Sequence, residues 1–245
     1  MGLFDLTPYL VLSTGVFAGA VVSGLVGFAF SAVAGAVLLH VMPPTEAVPF
    51  MMACSLVVQF SSLVALRRTV KWRGSFGLIA GGVLGVVPAL FLLHHIDPRT
   101  FRIGFGVFLA AYAGYMLFRP AMAYVRDAPS RLRAAAVGFG GGLVGGLTAM
   151  PGALPVIWCD LRGMSKDQQR GLVQPYITAM QVFALALMLS RDGLSAKALM
   201  DLTFSLPALA AGTVLGILLF GRVNDARFRE IVLLVLLIAG VFLVV

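Results

Sequence analysis

The chain has 245 residues, of which 60% are hydrophobic and only 11% are charged, and its mean hydropathy is +1.00. Soluble domains carry about 25% charged residues, so this composition excludes an ordinary soluble domain and predicts an integral membrane protein in contact with lipid. The net charge of +8 would suggest a nucleic-acid partner for a soluble protein. In a membrane protein, lysines and arginines concentrate in cytoplasmic loops, so we expect no nucleic-acid partner. The apolar runs are continuous, which favours helices over a β-barrel.

The first apolar run extends from Tyr9 to about Met42. One crossing needs about 20 residues, so this run is too long for a single straight helix. Gly24 and Gly27 lie near its middle, and we therefore predict two half-helices with a break between them. The predicted half-helices cover about 10–25 and 30–42, and three membrane-spanning helices follow at about 45–66, 74–93 and 99–118.

The second half of the chain repeats this layout after a polar linker at 119–133. Its first segment, about 134–160, contains the glycine-rich stretch GFGGGLVGGLTAMPGALP at 138–155. Glycine and proline are both unfavourable inside a helix, and a broken backbone at membrane depth is tolerated only where protein buries it or a cavity wets it. The stretch therefore predicts a second pair of half-helices. Three more spanning helices are predicted at about 168–190, 200–220 and 227–245.

Matches between the two halves indicate an internal duplication. The string GLVG occurs at 24–27 and again at 142–145, and Gln59 matches Gln181 122 residues later. Small apolar residues recur by chance, but the collinear order and the paired mid-helix glutamines favour duplication. We predict one transmembrane domain over 1–245, with repeat one at about 8–118 and repeat two at about 134–245.

The distribution of Lys and Arg selects between two relative orientations of the repeats. If each broken segment crosses the membrane once, the repeats are parallel and the two sides carry 10 and 8 Lys/Arg. If each broken segment is a re-entrant hairpin, the repeats are inverted and the two sides carry 14 and 4. The positive-inside rule favours the second arrangement. The predicted fold is an all-α integral membrane protein of two inverted repeats, each with a re-entrant broken segment plus three transmembrane helices.

Inverted repeats with broken helices are a recurrent transporter design, in which the substrate site lies where the breaks meet near the midplane. The N-termini of half-helices carry unpaired N–H groups and a partial positive charge, so they suit anions. The corresponding ends here are 28–31 and 148–152, where Ser31 and Thr148 are expected to act as caps.

Gln59 and Gln181 lie inside apolar helices, where burying an amide without partners is costly. Interhelical bonding would explain a lone glutamine, but two at equivalent positions favour a pair that flanks a site. We assign a functional role to the glycines at 138–152 and a packing role to Gly81, Gly85, Gly212 and Gly216. The candidate substrate-binding residues are Gln59, Gln181, Ser31, Phe28, Phe30, Thr148, Met150, Gly152, Gln174 and Tyr176.

Other chemistries find little support in the sequence. No acidic residue falls deep in a predicted span, which argues against a proton relay. The sequence contains no recognisable catalytic set, metal-ligand spacing or phosphate-binding loop, so we expect neither an enzyme nor a cofactor. Cys54 and Cys159 are interpreted as small buried residues.

Each half opens with a predicted break that contains a similar string, SGLVGF at 23–28 and GGLVGG at 141–146, and Pro151 and Pro155 follow the second string. In this layout the chain resembles the TauE/SafE sulfite exporter family. The resemblance implies a multi-pass permease of the bacterial inner membrane that moves sulfite or organosulfonates by alternating access. Phe28 and Phe30 stand where more glycines would be typical, which implies a narrowed pocket or a wall for an organic tail. The alternatives are a permease for a different small solute, an accessory membrane subunit without its own pathway, and a membrane-embedded enzyme. A homo-oligomer is compatible with the sequence.

Overall fold

The computed structural model describes residues 7–65, 67, 70, 72–118, 130–192 and 196–244. Most of the predicted linker, 119–129, lies outside these residues. The described part of the chain consists of helices joined by short turns and contains no strand, which confirms the predicted all-α class. Its helices are α1 Thr7–Val26, α2 Phe30–Val41, α3 Pro44–Ala65, α4 Trp72–Leu93, α5 Pro98–Phe118, α6 Arg131–Thr148, α7 Ala153–Leu161, α8 Lys166–Asp192, α9 Ala196–Phe220 and α10 Asp225–Val244.

Among the described residues, six helices are long and apolar enough to cross a membrane. They include α1, for which we expected a half-helix, and do not include α10, for which we expected a crossing. Helix α1 reaches this length because it continues through Gly24, where its backbone packs closely against α9. The protein is therefore an integral membrane protein of several spanning helices. The six candidate spans are Tyr9–Val26, Pro44–Ala65, Trp72–Leu93, Arg99–Phe118, Lys166–Ser190 and Lys197–Phe220.

Both broken segments fold back on themselves. In the first, Gly15 of α1 faces Val37 of α2 and Gly19 faces Ala34, so the two helices run antiparallel. In the second, Gly145 of α6 faces Pro151, and Gly140 faces Leu154 of α7. The first break follows Val26, where Gly27 has a φ of +95°, and the second follows Thr148, where Ala149 has a φ of 56°.

The glycines at 138–146 do not break the second segment, contrary to our expectation. They lie inside α6, where Gly138, Gly142 and Gly146 bring its backbone against α4, and Gly140 and Gly145 face the returning segment. A Cβ atom on Gly138 would lie 2.0 Å from the carbonyl oxygen of Leu78, and one on Gly142 would lie 2.2 Å from that of Gly82. Small residues permit this close approach in membranes, where packing rather than water drives helix association. The break itself is confined to 149–152.

The packing role predicted for Gly81, Gly85, Gly212 and Gly216 is confirmed. A Cβ atom on Gly85 would lie 2.1 Å from the carbonyl oxygen of Phe139 in α6, and one on Gly216 would lie 2.3 Å from that of Val21 in α1. The first helix of each half therefore packs against a helix of the other half, α1 on α9 and α6 on α4. Each half therefore packs its first helix against the other half, as expected for two copies of one unit. The duplication itself stays a prediction.

Candidate functional site

Each broken segment has one left-handed residue, and a glutamine binds the carbonyl group of each. Gln59 Nε2 donates to the carbonyl oxygen of Gly27 at 3.2 Å, and Gln181 Nε2 donates to that of Ala149 at 3.3 Å. Carbonyl groups at the end of a helix have no partner within that helix. Both glutamines are fully buried, so each supplies a hydrogen bond that water cannot provide there.

The two glutamine-bearing helices, α3 and α8, are joined by further polar contacts. Gln174 Nε2 donates to Gln59 Oε1, and Gln181 Nε2 also donates to Ser55 Oγ at 2.8 Å. The residue number rises along α8 while it falls along α3. The two helices therefore run antiparallel, with a continuous polar seam between them.

The two breaks are in direct contact. Ser31, in the first turn of α2, donates from Oγ to the carbonyl oxygen of Ala149 at 2.8 Å. A Cβ atom on Gly152 would lie 2.7 Å from Phe28 Cβ. The carbonyl group of Ala149 thus accepts from both Ser31 and Gln181 and connects the second break to the polar seam. We call the polar seam and the two breaks together the polar cluster.

The capping roles predicted for Ser31 and Thr148 are wrong. Ala29 is the N-cap of α2 and makes no side-chain hydrogen bond, while Ser31 binds the opposite break instead. Thr148 is the last residue of α6 and donates from Oγ1 to the carbonyl oxygen of Val144 in its own helix. The left-handed turn at Ala149 moves the start of α7 beyond Thr148, which removes any helix for that residue to cap.

The other predicted residues lie at varying distances from this cluster. Tyr176 donates from its hydroxyl group to the carbonyl oxygen of Gly138 at 2.8 Å and so binds α6. The ring of Phe30 packs against α1, with Cδ2 3.2 Å from the position that a Cβ on Gly19 would take. Met150 is fully buried in the second break. The structure therefore groups Gln59, Gln174, Gln181, Ser31, Phe28 and Gly152. It directs Phe30 and Tyr176 toward neighbouring helices, and Thr148 bonds its own helix.

Sequence reasoning missed Arg170, which is only 4% exposed. Its Nη2 donates to the carbonyl oxygen of Gly24 at 3.1 Å, and its guanidinium carbon lies 4.3 Å from the centre of the Phe220 ring. The charge count above includes Arg170 among the 14 Lys/Arg in loops on the inner side. A signal was present, because Arg170, Gln174, Thr178 and Gln181 recur at helical spacing on one face of α8.

Several buried polar atoms lack a hydrogen-bond partner within the described part of the chain. They are Ser23 Oγ, Ser62 Oγ, Arg170 Nε and Nη1, and Gln181 Oε1. Leaving such a group unpaired costs about 1–3 kcal/mol, and more for a charged group. The seam is therefore poorer in hydrogen bonds than a purely structural polar core would be.

A cavity of about 200 Å³ lies where α3 and α9 begin and α8 ends, with Phe50, Met188 and the buried Asp201 in its walls. Lys197 and Glu46, both well exposed, form an ion pair of 3.5 Å at this cavity. At the start of α8, a space of only about 10 Å³ lies beside Gly27 and Arg170. The described residues contain no cluster of three or more metal-ligating side chains.

The sequence matches the family described as sulfite exporter TauE/SafE over residues 11–243, which is nearly the whole chain. The match spans both broken segments, both glutamines and Arg170. No curated protein and no solved structure matches the chain.

Proposed function

Because the chain belongs to the TauE/SafE sulfite exporter family, we propose that it is a permease for small sulfur-containing anions, such as sulfite or organosulfonates. The family match over 11–243 is the observation that carries this proposal. The six apolar helices support a membrane protein, and the family match supports a transporter. The bacterial inner membrane is its proposed location. Carrier function requires no cofactor and no catalytic step, so we propose neither.

The contact between the two breaks supports a site at this position. Ser31 bonds the second break from α2, and Gln59 bonds the first break from α3. A neutral hydrogen bond contributes only about 0.5–1.5 kcal/mol net. Contacts of this size can be exchanged for bonds to a substrate oxygen, which is what a carrier site needs in order to bind weakly and release.

The packing of the helices supports alternating access. The pairs α1–α9 and α4–α6 are in close backbone contact through glycines, so each pair would move as a unit. The polar seam between α3 and α8 is the more readily rearranged interface. The re-entrant shape of both broken segments and the antiparallel course of α3 and α8 favour inverted rather than parallel repeats. One chain contains both breaks, so the proposed pathway does not require a homo-oligomer.

Counterflow into proteoliposomes tests the proposal. Vesicles with the purified protein are preloaded with unlabelled sulfite or sulfoacetate, and the labelled anion is added outside. We expect transient, saturable accumulation of label that protein-free vesicles do not show. Folded protein that gives no counterflow with either anion would contradict the sulfur-anion assignment. Counterflow with an uncharged solute instead would favour the alternative of a different permease.

A further inference from the structure

We propose that Arg170 binds the anionic group of the substrate, together with Ser23 and Ser62, at a site beside Gly27. This inference rests on the proposed function and names the residues that would recognise the oxyanion. Arg170 is a charged residue within a predicted membrane span, Lys166–Ser190. Such residues are costly in lipid and usually mark a substrate or ion pathway.

The guanidinium group of Arg170 is buried with most of its hydrogen-bonding capacity unused. Nη2 donates to the carbonyl oxygen of Gly24, while Nε and Nη1 have no partner among the described residues. The carboxylate of Asp167, one turn earlier on α8, attracts this charge. Because Asp167 is exposed, water screens the attraction. An anion in contact with Nε or Nη1 would neutralise the buried charge and accept the unused hydrogen bonds.

The free nitrogen atoms lie next to the first break. Nε is 3.0 Å from the position that a Cβ on Gly27 would take, and Gln174 Oε1 is 3.2 Å from the same position. Gly27 therefore leaves room that any side chain would fill. Arg170, Gly27, Phe28 and Gln174 all line the small space at this point.

From the register of the helices we infer that two further unsatisfied groups lie near this level. Ser23 adjoins Gly24, whose carbonyl group accepts from Arg170. Because Gln59 pairs with Gln174 and Ser55 pairs with Gln181, the antiparallel register puts Ser62 of α3 near the level of Arg170. The hydroxyl groups of Ser23 and Ser62 are buried and have no partner within the described residues. A sulfonate or sulfite group offers three oxygen atoms, enough to accept from a guanidinium group and two hydroxyl groups.

The space beside Gly27 is about 10 Å³, which is close to the room that one water molecule needs. An oxyanion is larger, so the structure represents a form that is closed at this end. Binding requires α8 and α1 to separate, which breaks the bond from Arg170 to Gly24. The same nitrogen atom would then become available to the anion, so closing this end and binding substrate would be alternatives for one side chain.

Ligand-dependent thermal stabilisation of the purified protein in detergent tests this role. Sulfite and sulfoacetate are titrated at constant ionic strength against chloride, for wild type, Arg170→Met, Arg170→Lys and the exposed control Arg131→Met. The apparent affinity is expected to fall at least about tenfold in Arg170→Met and less in Arg170→Lys, because charge-assisted bonds are lost. The control is expected to match wild type.

The ligand-free Tm separates this role from a structural one. Burying a charge carries a large desolvation cost, and Nε and Nη1 of Arg170 have no hydrogen-bond partner among the described residues, so we expect Arg170→Met to melt at or above the wild-type temperature. Wild-type affinity in Arg170→Met would overturn the inference and leave the proposed function intact. If Arg170→Met does not fold, wild-type affinity in Arg170→Lys overturns it equally. Wild type that neither binds nor transports either anion would overturn both.

Discussion

Gln181 donates a hydrogen bond to the carbonyl oxygen of Ala149, which lies 32 residues earlier in the chain. Gln59 makes the same contact with Gly27 at the same separation. Both carbonyl groups belong to residues with positive φ at the end of a half-helix. The unit shared by the two halves is thus a glutamine bound to the turning point of a re-entrant segment, and this contact holds each break against the polar seam.

The first prediction concerns this pair. Gln59→Ala and Gln181→Ala should each abolish counterflow of sulfite, because each removes polar contacts between α3 and α8. Gln59→Ala also removes the hydrogen bond to the buried carbonyl group of Gly27, which should destabilise that variant by about 1–3 kcal/mol. In Gln181→Ala the carbonyl group of Ala149 keeps its bond from Ser31, so this variant should lose less stability. Transport in proteoliposomes and unfolding in denaturing detergent measure the two effects.

Ser61→Ala is the matched control for the glutamine variants. Ser61 lies on α3 close to Gln59, but its hydroxyl group only bonds the carbonyl oxygen of Val57 on the same exposed face. This variant should transport like wild type. Wild-type flux in both glutamine variants would remove the glutamines from the site and leave them as interhelical contacts.

Most helix positions could be predicted from the sequence, which also singled out both glutamines, and the physical reasons differ. Long apolar runs bounded by charges locate helix ends within a few residues, as for α4, predicted at about 74–93 and found at Trp72–Leu93. The glutamines stand out because amides are rare in such runs. Their spacing of 122 residues also relates Gly27 to Ala149, whereas the GLVG strings align Gly27 with Gly145.

The second break and Arg170 were harder to predict. Alanine seldom adopts positive φ, so nothing in the sequence indicates the turn at Ala149. The glycines before it suggested a break, but they lie inside α6 and permit its close contacts with α4 and with the returning segment. Arg170 is the fifth residue of α8, close to a helix end where an arginine is usually a loop charge. Its helical spacing to Gln174 and Gln181 was the available signal in the sequence, and the contacts of its side chain show that it is buried.

The second prediction is that substitutions at the two residues with positive φ change the Tm in different directions. Gly27→Ala should lower the Tm, because this conformation costs an alanine about 1–2 kcal/mol and the new methyl group would crowd Arg170 Nε. Ala149→Gly should leave the Tm unchanged or raise it, since glycine adopts positive φ at no steric cost. Differential scanning fluorimetry of both variants checks the pair. A stabilised Gly27→Ala protein would contradict the assigned backbone conformation.

The third prediction concerns the contact between α4 and α6. Gly142→Ala should destabilise the protein by more than about 1 kcal/mol, because its Cβ would overlap the carbonyl oxygen of Gly82 and force the helices apart. Gly114→Ala in α5 is the control, since nothing lies within 4 Å of its Cβ position. Alanine is the better helix former by about 0.5–1 kcal/mol, so the control should be neutral or stabilised. Equal Tm values for the two variants would exclude a tight α4–α6 interface.

The fourth prediction tests the orientation of the repeats by cysteine labelling in intact cells. Cysteines are introduced at the exposed residues Gly221 and His95, in a background with Cys54 and Cys159 replaced by alanine. The inverted arrangement puts residue 221 in the cytoplasm and residue 95 outside, because 13 of the 18 Lys/Arg then lie on the inner side even when the buried Arg170 is left out. A membrane-impermeant maleimide should therefore label the His95→Cys protein and should label the Gly221→Cys protein only after the cells are broken. Labelling of both in intact cells would favour parallel repeats, and it would conflict with the antiparallel course of α3 and α8 that the bonds from Gln174 to Gln59 and from Gln181 to Ser55 define.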